Sequence, residues 1–194
     1  MILYATKQTM NRCKLTPFDK LSDKFLCQRA QDVYVREHGD QLFEWGAKLF
    51  YFDRRKCIQV CNFASRFTLV LADVSVSDVQ ELNSMIALYL LNLYSDDAKM
   101  VALLERCFRN HPFSCFAELT DRRIISCLNY MQTVYLQDGY ALRNYLKKNI
   151  LWTRQLNYDI NKKYLVSGKI RGKTEYFYPA ERFAMLMKER YEIR

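Results

Sequence analysis

The sequence is poor in glycine, proline and histidine, and each shortage narrows the classes of protein that it can encode. Among 194 residues there are five glycines, three prolines and two histidines, whereas 50% of the residues are hydrophobic and 14% are aromatic. This composition excludes a disordered, low-complexity or collagen-like chain. The five glycines do not form the G-x-G-x-x-G of a dinucleotide-binding turn, so we expect neither a Rossmann enzyme nor a cofactor.

Long apolar runs and the features of a signal peptide are also lacking. The best apolar run, Met85 to Leu91, is bounded by asparagines and is much shorter than the roughly 18 residues that a membrane span needs. The apolar start of the chain is brief and has no basic region before it, which does not fit a signal peptide. We therefore expect a cytoplasmic protein that does not associate with a membrane.

The seven cysteines are predicted to be buried thiols. An odd number of cysteines leaves one unpaired in any disulfide scheme, and disulfides are rare in the cytoplasm. Cys57 and Cys61 are four residues apart on a predicted strand, so both side chains should face the same side. A structural zinc would need two further ligands, and no second close pair of cysteine or histidine follows. We predict no metal site.

Positive charge is concentrated in the last quarter of the chain. Residues 1–142 hold 17 basic and 16 acidic side chains, whereas residues 143–194 hold 13 basic and 5 acidic ones. Seven aromatic residues are interleaved with these cations, and surfaces that bind a phosphate backbone and stack bases have this composition. The aromatic residues are Tyr145, Trp152, Tyr158, Tyr164, Tyr176, Phe177 and Tyr178. A solvated helix face, or a patch that docks on an acidic protein, has the same composition.

The hydrophobic periodicity predicts an α+β fold. Residues 1–7, 47–52, 56–62 and 66–71 alternate as strands, and we expect them to form a small antiparallel sheet. Period-3.6 patterns predict covering helices near 78–94, 96–109 and 121–136. We divide the chain into a body over 1–140 and a basic extension over 141–194, packed on the body. That extension should contain one helix or a broken pair of helices over 141–158, a hairpin around Arg171-Gly172 and a helix that begins at Pro179.

The residues 168–174, Gly-Lys-Ile-Arg-Gly-Lys-Thr, resemble a phosphate-binding loop but are one residue too short for it. A strand-like segment follows them where such a loop needs a helix, so a basic hairpin tip is the better interpretation. The cations that we predict to contact RNA phosphates come from this tip, from the segment before it and from two turns of the body. They are Arg54, Arg55, Arg66, Lys147, Lys148, Arg154, Lys162, Lys163, Lys169, Arg171 and Lys173. We expect the body cations, Arg66 and the cluster at residues 54–56, to lie near one edge of the sheet.

One tripeptide offers the groups that a metal-independent ribonuclease requires. Such an enzyme needs a base, an acid and a cation that stabilises the phosphorane, and Arg36, Glu37 and His38 supply all three types. The alternative is an exposed polar loop before the first hairpin. Whether the protein is an enzyme is left open by the sequence.

Several segments of the body resemble a family of small proteins, without assigned function, from Gram-positive bacteria and their mobile elements. The resemblance rests on the first seven residues, on Trp45-x3-Leu49-Phe50-x3-Arg54-Arg55-Lys56-Cys57, on Ser65-Arg66-Phe67 and on Asp121-Arg122, and it covers about residues 1–136. The matching positions are Lys7, Trp45, Arg54, Arg55, Asn62, Arg66, Arg122 and Asn129. This chain has Ser126 where the family commonly has glycine, and Tyr130 where it often has aspartate.

Some relatives in that family look like plasmid-borne anti-CRISPR proteins that block type II-A systems through loss or truncation of guide RNA. The resemblance therefore implies an inhibitor whose partner is guide RNA, or the RNA-loaded effector, with the basic extension as the device that engages it. Two alternatives stay open. One is a nucleic-acid-binding accessory protein of a mobile element without catalysis, and the other is a protein-interaction module for an acidic partner.

Overall fold

A five-stranded sheet forms the centre of the computed structural model, which describes residues 1–137, 141–148, 150–170 and 172–192. Helices cover both faces of this sheet, and the α+β class expected from the sequence is confirmed. The strands lie in the order β4-β3-β2-β1-β5. Their bounds are Ile2–Ala5 (β1), Glu44–Phe52 (β2), Arg55–Asn62 (β3), Thr68–Ala72 (β4) and Cys115–Glu118 (β5).

The sheet is mixed, which corrects the expectation of a wholly antiparallel one. Strands β2, β3 and β4 form the predicted antiparallel meander, but β1 is parallel to both of its neighbours, β2 and β5. A parallel pair needs a crossover connection between its strands, and helices α1 (Lys7–Cys13) and α2 (Lys24–Glu37) supply it between β1 and β2.

The helices predicted from period-3.6 patterns are present. The helix near 78–94 is divided at Glu81 into α3 and α4, and the other two agree within two residues. The remaining helices are α3 (Val76–Gln80), α4 (Leu82–Leu93), α5 (Ala98–Asn110), α6 (Arg122–Gln137), α7 (Thr153–Lys162) and α8 (Pro179–Tyr191). A capping box formed by Ser75 and Asp78 begins α3. Asp97 caps α5, since its Oδ1 accepts from the Met100 N–H at 3.0 Å.

One face of the sheet packs against α4, α5 and α8. Trp45 of β2 is 2% exposed and lies edge-on to Phe183 of α8, with ring centroids 6.2 Å apart, so it anchors this part of the core. Phe67 and Tyr94 complete this aromatic group around Phe183. Helix α8, which lies near the end of the described chain, therefore contributes to the main core.

The other face packs against α6 and α7. Phe50, Cys57 and Val70 of the sheet join Met131 of α6 and Ile160 of α7 in a second buried cluster. Because α7 and α8 both contribute to buried clusters with the sheet, the segment after 140 packs on the body. The division at residue 140 stays a prediction.

Helix α6 approaches the sheet most closely at Gly46. A Cβ atom at that position would lie 2.5 Å from Ile124 Cγ2 and 3.4 Å from Leu128 Cδ1. Real Cβ atoms do not come so near to a neighbouring carbon, so only glycine lets the helix sit at this depth. The absence of a side chain at residue 46 thus sets the distance between α6 and strands β2 and β3.

The helical prediction over 141–158 is wrong in its first half. Leu142–Tyr145 is a short 3-10 turn, and Leu146–Lys147 (β6) pairs with Ile150–Leu151 (β7) as a small hairpin. Lys148 at the hairpin turn has a φ of 47°, a left-handed conformation that interrupts any helix. Ile150, expected to point inward, is 64% exposed. The predicted hairpin is present as Val166–Ile170 (β8) and Lys173–Phe177 (β9).

No helix within the described ranges is long and apolar enough to span a membrane. Those same residues hold no group of three or more histidine, cysteine, aspartate or glutamate side chains that could bind a metal ion.

Candidate nucleic-acid interface

The three residues proposed for catalysis do not converge on one point. Arg36 and Glu37 end α2 and pair with each other, since Arg36 Nη2 donates to Glu37 Oε1 at 2.6 Å. His38 turns to another cluster, where its Nδ1 lies 2.9 Å from the Tyr4 hydroxyl and 3.4 Å from Glu44 Oε1. The structure therefore does not place the acid and the base around a shared substrate position.

Glu37 is a buried anion that the Met1 amine, Arg36 and His111 surround. Its side chain is 1% exposed, and its carboxylate lies 2.7 Å from the Met1 amine and 2.8 Å from His111 Nδ1. Burial raises the pKa of Glu37, but the hydrogen bonds from His111, the terminal amine and Arg36 outweigh it and lower the pKa to about 2. A carboxylate held in this way is a structural anchor and a poor general base, and its catalytic role stays a hypothesis.

Replacing Glu37 by glutamine tests this anchor. We expect Glu37→Gln to lower the free energy of unfolding at neutral pH by about 2 to 3 kcal/mol, because the buried Met1 amine and the Arg36 guanidinium lose the carboxylate that pairs with them. The pKa of Glu37 is lowered on folding from 4.5 to about 2, so its stabilisation is fully present above pH 4.5 and disappears as the pH falls towards 2. Urea titrations at pH 7 and pH 3 measure both effects.

The matched control is Glu105→Gln, at an exposed position of α5. It should change the free energy of unfolding by less than about 0.5 kcal/mol at either pH. A Glu37→Gln deficit that is equally large at pH 3 would contradict the assignment of Glu37 as an ionised anchor.

The cations predicted in the body lie at opposite ends of the meander, which corrects the expectation that they cluster at one edge. Arg54 lies in the β2–β3 turn and Arg55 is the first residue of β3, whereas Arg66 lies in the β3–β4 turn. Successive turns of an antiparallel meander alternate between the two ends of the strands, and β3 separates these turns by eight residues, or about 25 Å. Arg55 forms an ion pair with Asp73 at 2.7 Å.

Arg66 borders a cavity of about 520 Å³ between the β3–β4 turn, the start of α6 and the β8–β9 hairpin. Arg123 shares this cavity, but it is bound to Asp121 through two guanidinium nitrogens. The Arg66 Nη1 atom is buried and has no hydrogen-bond partner in the part of the chain that the structure describes. Lys173 is exposed on β9, while Arg171 and the side chain of Lys169 lie outside the described residues.

Helix α7 is fixed to the free edge of strand β4 by two asparagine side chains. Asn157 accepts from the Val70 N–H at 2.7 Å and donates to the Val70 carbonyl at 3.0 Å. One helical turn later, Asn161 bonds the Thr68 N–H and carbonyl in the same way, at 2.8 and 2.6 Å. These two amides make the hydrogen bonds to the backbone of β4 that a sixth strand would otherwise make. They also position the outer face of α7 relative to the sheet.

That outer face carries cations and aromatic rings in alternation. Arg154, Tyr158 and Lys162 are spaced by four residues, so they lie along one side of the helix. Tyr158 is 39% exposed, and Lys162 Nζ lies 4.8 Å from its ring centroid. Lys163 is near the same ring, at 5.7 Å, and also pairs with Asp159 at 2.8 Å.

Trp152 extends this row beyond the start of the helix. Its side chain is 53% exposed, and Lys147 Nζ from the small hairpin lies 5.3 Å from its ring centroid. We call Lys147, Trp152, Arg154, Tyr158 and Lys162 the α7 row. Lys148 is exposed at the adjacent hairpin turn.

A groove runs beside the α7 row, with helix α4 as its opposite wall. Two adjoining cavities of about 420 and 340 Å³ share Tyr89, Asn92, Trp152 and Arg154 as lining residues. The Tyr89 hydroxyl lies 3.3 Å from Thr153 Oγ1 and joins the two walls at their base. A third cavity of about 490 Å³ continues along Tyr158 to Lys162.

The two ends of the groove differ in charge. Asp96 and Glu181 line the end near Lys162, so that end is electrostatically mixed. At the other end, the described residues that line the cavity beside Leu88, Ile150 and Trp152 include no acid, whereas Asp96 lines the middle cavity that Trp152 and Arg154 also border. The end at Lys147, Trp152 and Arg154 is therefore the better position for a phosphate and a stacked base.

The sequence predicted the cations and the rings of the α7 row. It did not predict the opposite wall of the groove, which α4 supplies. Leu88, Tyr89 and Asn92 belong to α4, some sixty residues away in the chain. Their periodicity indicated only a core helix, and nothing local shows that its outer edge faces α7.

Asn129, one of the positions carried by the family resemblance, lies on α6 away from this groove. Its Oδ1 accepts from Lys48 Nζ at 2.7 Å, and Gln132 Oε1 accepts from the same amine at 2.5 Å. Burial lowers the pKa of Lys48. This contact joins strand β2 to α6 and has a clear structural role.

One comparison with known proteins gives a match. A family model described as a domain of unknown function (DUF6933) matches residues 2–182, which includes both the sheet and the α7 row. No curated protein matches the chain.

Proposed function

Since the chain belongs to the family described as a domain of unknown function (DUF6933), we propose a function from its own surface: it binds single-stranded RNA along the α7 row. The observation that carries this proposal is the alternation of cation and exposed ring from Lys147 to Lys162. Proteins that bind single strands combine a basic path for the backbone with rings on which successive bases stack.

The geometry favours a single strand over a duplex. Trp152 and Tyr158 are exposed on the side of a groove, and only an unstacked base can place its face against such a ring. Arg154 lies between the two rings in the sequence of the row, where its guanidinium can bind the intervening phosphate. A duplex would offer phosphates to these cations but would leave the rings without a partner.

We propose further that the RNA is the guide RNA of a type II-A CRISPR effector, free or already loaded, and that the protein inhibits the effector by binding it. The support is the resemblance of the body to a family in which some relatives look like plasmid-borne anti-CRISPR proteins, together with the basic surface on the segment that follows it. The guide segment of such an RNA is unpaired before it meets its target, so its bases are available for stacking.

Binding of a labelled, unstructured 12-nucleotide RNA, followed by fluorescence anisotropy, tests the first proposal. We expect Trp152→Ala and Arg154→Glu each to raise the Kd by about tenfold or more, because each removes a stacked base or a phosphate contact. The logarithm of the affinity should fall steeply with the logarithm of the salt concentration. The same sequence as a duplex should bind more weakly.

Two control variants match the size and charge of these changes. Phe25→Ala removes an exposed ring on α2, and Lys188→Glu reverses an exposed cation on α8, both outside the groove. Neither should change the Kd by more than about twofold. Equal losses in the control and groove variants, or an affinity that does not depend on salt, would overturn the proposal.

The identity of the RNA needs a separate experiment. The protein is incubated with labelled guide RNA, with and without the type II-A effector and in the presence of EDTA. A retarded band and inhibited target cleavage support a binder of guide RNA, whereas shortened RNA reveals a ribonuclease. If shortening occurs, Glu37→Gln and His38→Ala test the catalytic hypothesis. A protein that binds the 12-mer but neither guide RNA nor the effector is an accessory nucleic-acid-binding protein.

One observation favours a protein partner as a second candidate function. Leu88 and Ile150 are 59% and 64% exposed and flank Trp152 at the open end of the groove. An apolar group of this kind also suits contact with another protein. Leu88→Ser and Ile150→Ser should weaken binding to the effector protein while leaving the affinity for the 12-mer RNA unchanged.

A further inference from the structure

Two cysteine side chains from different elements meet between the sheet and helix α6. Cys61 of β3 and Cys127 of α6 have their sulfur atoms 3.7 Å apart. Cys61 is fully buried, whereas Cys127 is partly exposed. The sequence placed both in the core as inert thiols, and their separation of 66 residues gave no signal that they meet.

Arg66, in the turn that follows β3, supplies a positive charge to this pair. The positive charge of Arg66 acts on both sulfur atoms and favours their thiolate forms. The contact with Cys61 lowers the pKa of Cys127, burial opposes this, and Arg66 lowers it further. The contact with Cys127 and burial raise the pKa of Cys61. Cys127 is thus the more nucleophilic and the more accessible of the two thiols.

The other cysteines offer a contrast within the same chain. Burial raises the pKa of Cys57 and Cys107 to about 11, and that of Cys115 to about 12. These thiols remain protonated at neutral pH and are poor nucleophiles. Cys127 should therefore react faster than these three thiols.

We propose that Cys61 and Cys127 are a redox-active pair that hydroperoxides convert to a reversible disulfide between β3 and α6. Arg66 is the positioning residue that favours the attacking thiolate. A disulfide bond is about 2 Å long, so the two sulfur atoms need to approach by less than 2 Å, which is within the range of side-chain rotation.

The reaction proceeds in two balanced steps. The Cys127 thiolate attacks one peroxide oxygen, the O–O bond breaks, and Cys127 becomes a sulfenic acid while the other oxygen leaves as water or an alcohol after taking a proton. The Cys61 sulfur then attacks the sulfenic sulfur, the S–S bond forms, and the hydroxyl leaves with the Cys61 proton as water. Two thiols lose two electrons, which the hydroperoxide gains. Low-molecular-weight thiols reverse the change by exchange.

The experiment uses the intact protein with hydrogen peroxide as the probe. After brief oxidation, remaining thiols are alkylated under denaturing conditions, and the peptides are mapped by mass spectrometry without reduction. We expect Cys61 and Cys127 to be linked and the other five cysteines to be alkylated. A reducing thiol should restore all seven. In Cys61→Ser, Cys127 should instead be trapped as its sulfenic acid by dimedone.

Arg66→Gln removes the positive charge and should slow formation of the bond severalfold, whereas Cys107→Ser should leave the rate unchanged. Because oxidised and reduced wild-type protein are compared directly, the result does not depend on how well any variant folds. Recovery of Cys61 and Cys127 as alkylated peptides after oxidation would overturn the proposal. So would a linkage spread over several cysteine pairs.

Discussion

Replacing Asn157 or Asn161 by alanine is expected to lower the free energy of unfolding by about 2 to 4 kcal/mol for each single variant. Each amide satisfies both the N–H and the carbonyl of one residue of β4, and Thr68 and Val70 are themselves buried. A buried backbone group without a partner costs about 1 to 3 kcal/mol. The double variant should approach the total stability of a domain of this size.

Urea unfolding measures the loss, and hydrogen exchange locates it. The amide protons of Thr68 and Val70 should exchange faster in the variants, whereas those of β2 at the sheet centre should follow only global stability. Asn161→Asp is an informative intermediate, because its carboxylate can still accept from the Thr68 N–H but cannot donate to the carbonyl.

Asn92→Ala is the matched control, since the bond that this exposed asparagine makes within the described residues is to the Leu88 carbonyl of its own helix. It should change stability by less than about 0.5 kcal/mol. If Asn157→Ala and Asn161→Ala cost no more than Asn92→Ala, then the two amides do not hold α7 on the edge of the sheet.

The second large effect is expected at Gly46. An alanine there would place its Cβ 2.5 Å from Ile124 Cγ2, on a helix that is buried at this point, and we expect a loss of about 3 kcal/mol or more. Because α6 would have to move outward, the contact between Cys61 and Cys127 should lengthen too. Thermal and urea unfolding measure the first consequence, and the rate of disulfide formation measures the second.

A double-mutant cycle separates this clash from other effects of the new methyl group. Ile124→Ala removes Cγ2, so Gly46→Ala combined with Ile124→Ala should be more stable than the sum of the single losses by at least about 1 kcal/mol. Gly168→Ala is a control at a surface hairpin, where the new Cβ meets the mobile ring of Phe177 at 3.0 Å. Additive losses at residues 46 and 124 would show that the helix does not depend on this glycine.

Features that depend on local sequence were predictable, and those that depend on distant partners were not. The strand around Cys57 and Cys61 follows from alternation, and both residues face the α6 side as expected. The start of α5 follows from Asp97. The parallel direction of β1 could not be predicted. An apolar residue such as Ile2 fits a parallel and an antiparallel partner strand equally well, and the crossover through α1 and α2 decides the direction.

The same distinction applies to the site. Charge and aromatic composition pointed to the segment that holds Arg154 and Tyr158, since both properties are local. Asn157 and Asn161 are polar residues at helical spacing, and a sequence gives no reason to aim them at a strand edge rather than at solvent. Their partners are backbone atoms more than eighty residues away in the chain. Because the backbone is the same for nearly all residue types, residue identity does not indicate such a contact.

The position of β1 between β2 and β5 has a consequence for how the chain folds as it is synthesised. The partner of Ile2 on one side is Cys115, more than one hundred residues further along the chain, so the sheet cannot close until β5 has left the ribosome. At about 5 to 20 residues per second, that wait lasts several seconds. Until β5 is synthesised, β1 and the outer edge of β4 both lack their final neighbours. A chaperone would bind this nascent intermediate because its strand edges are unpaired.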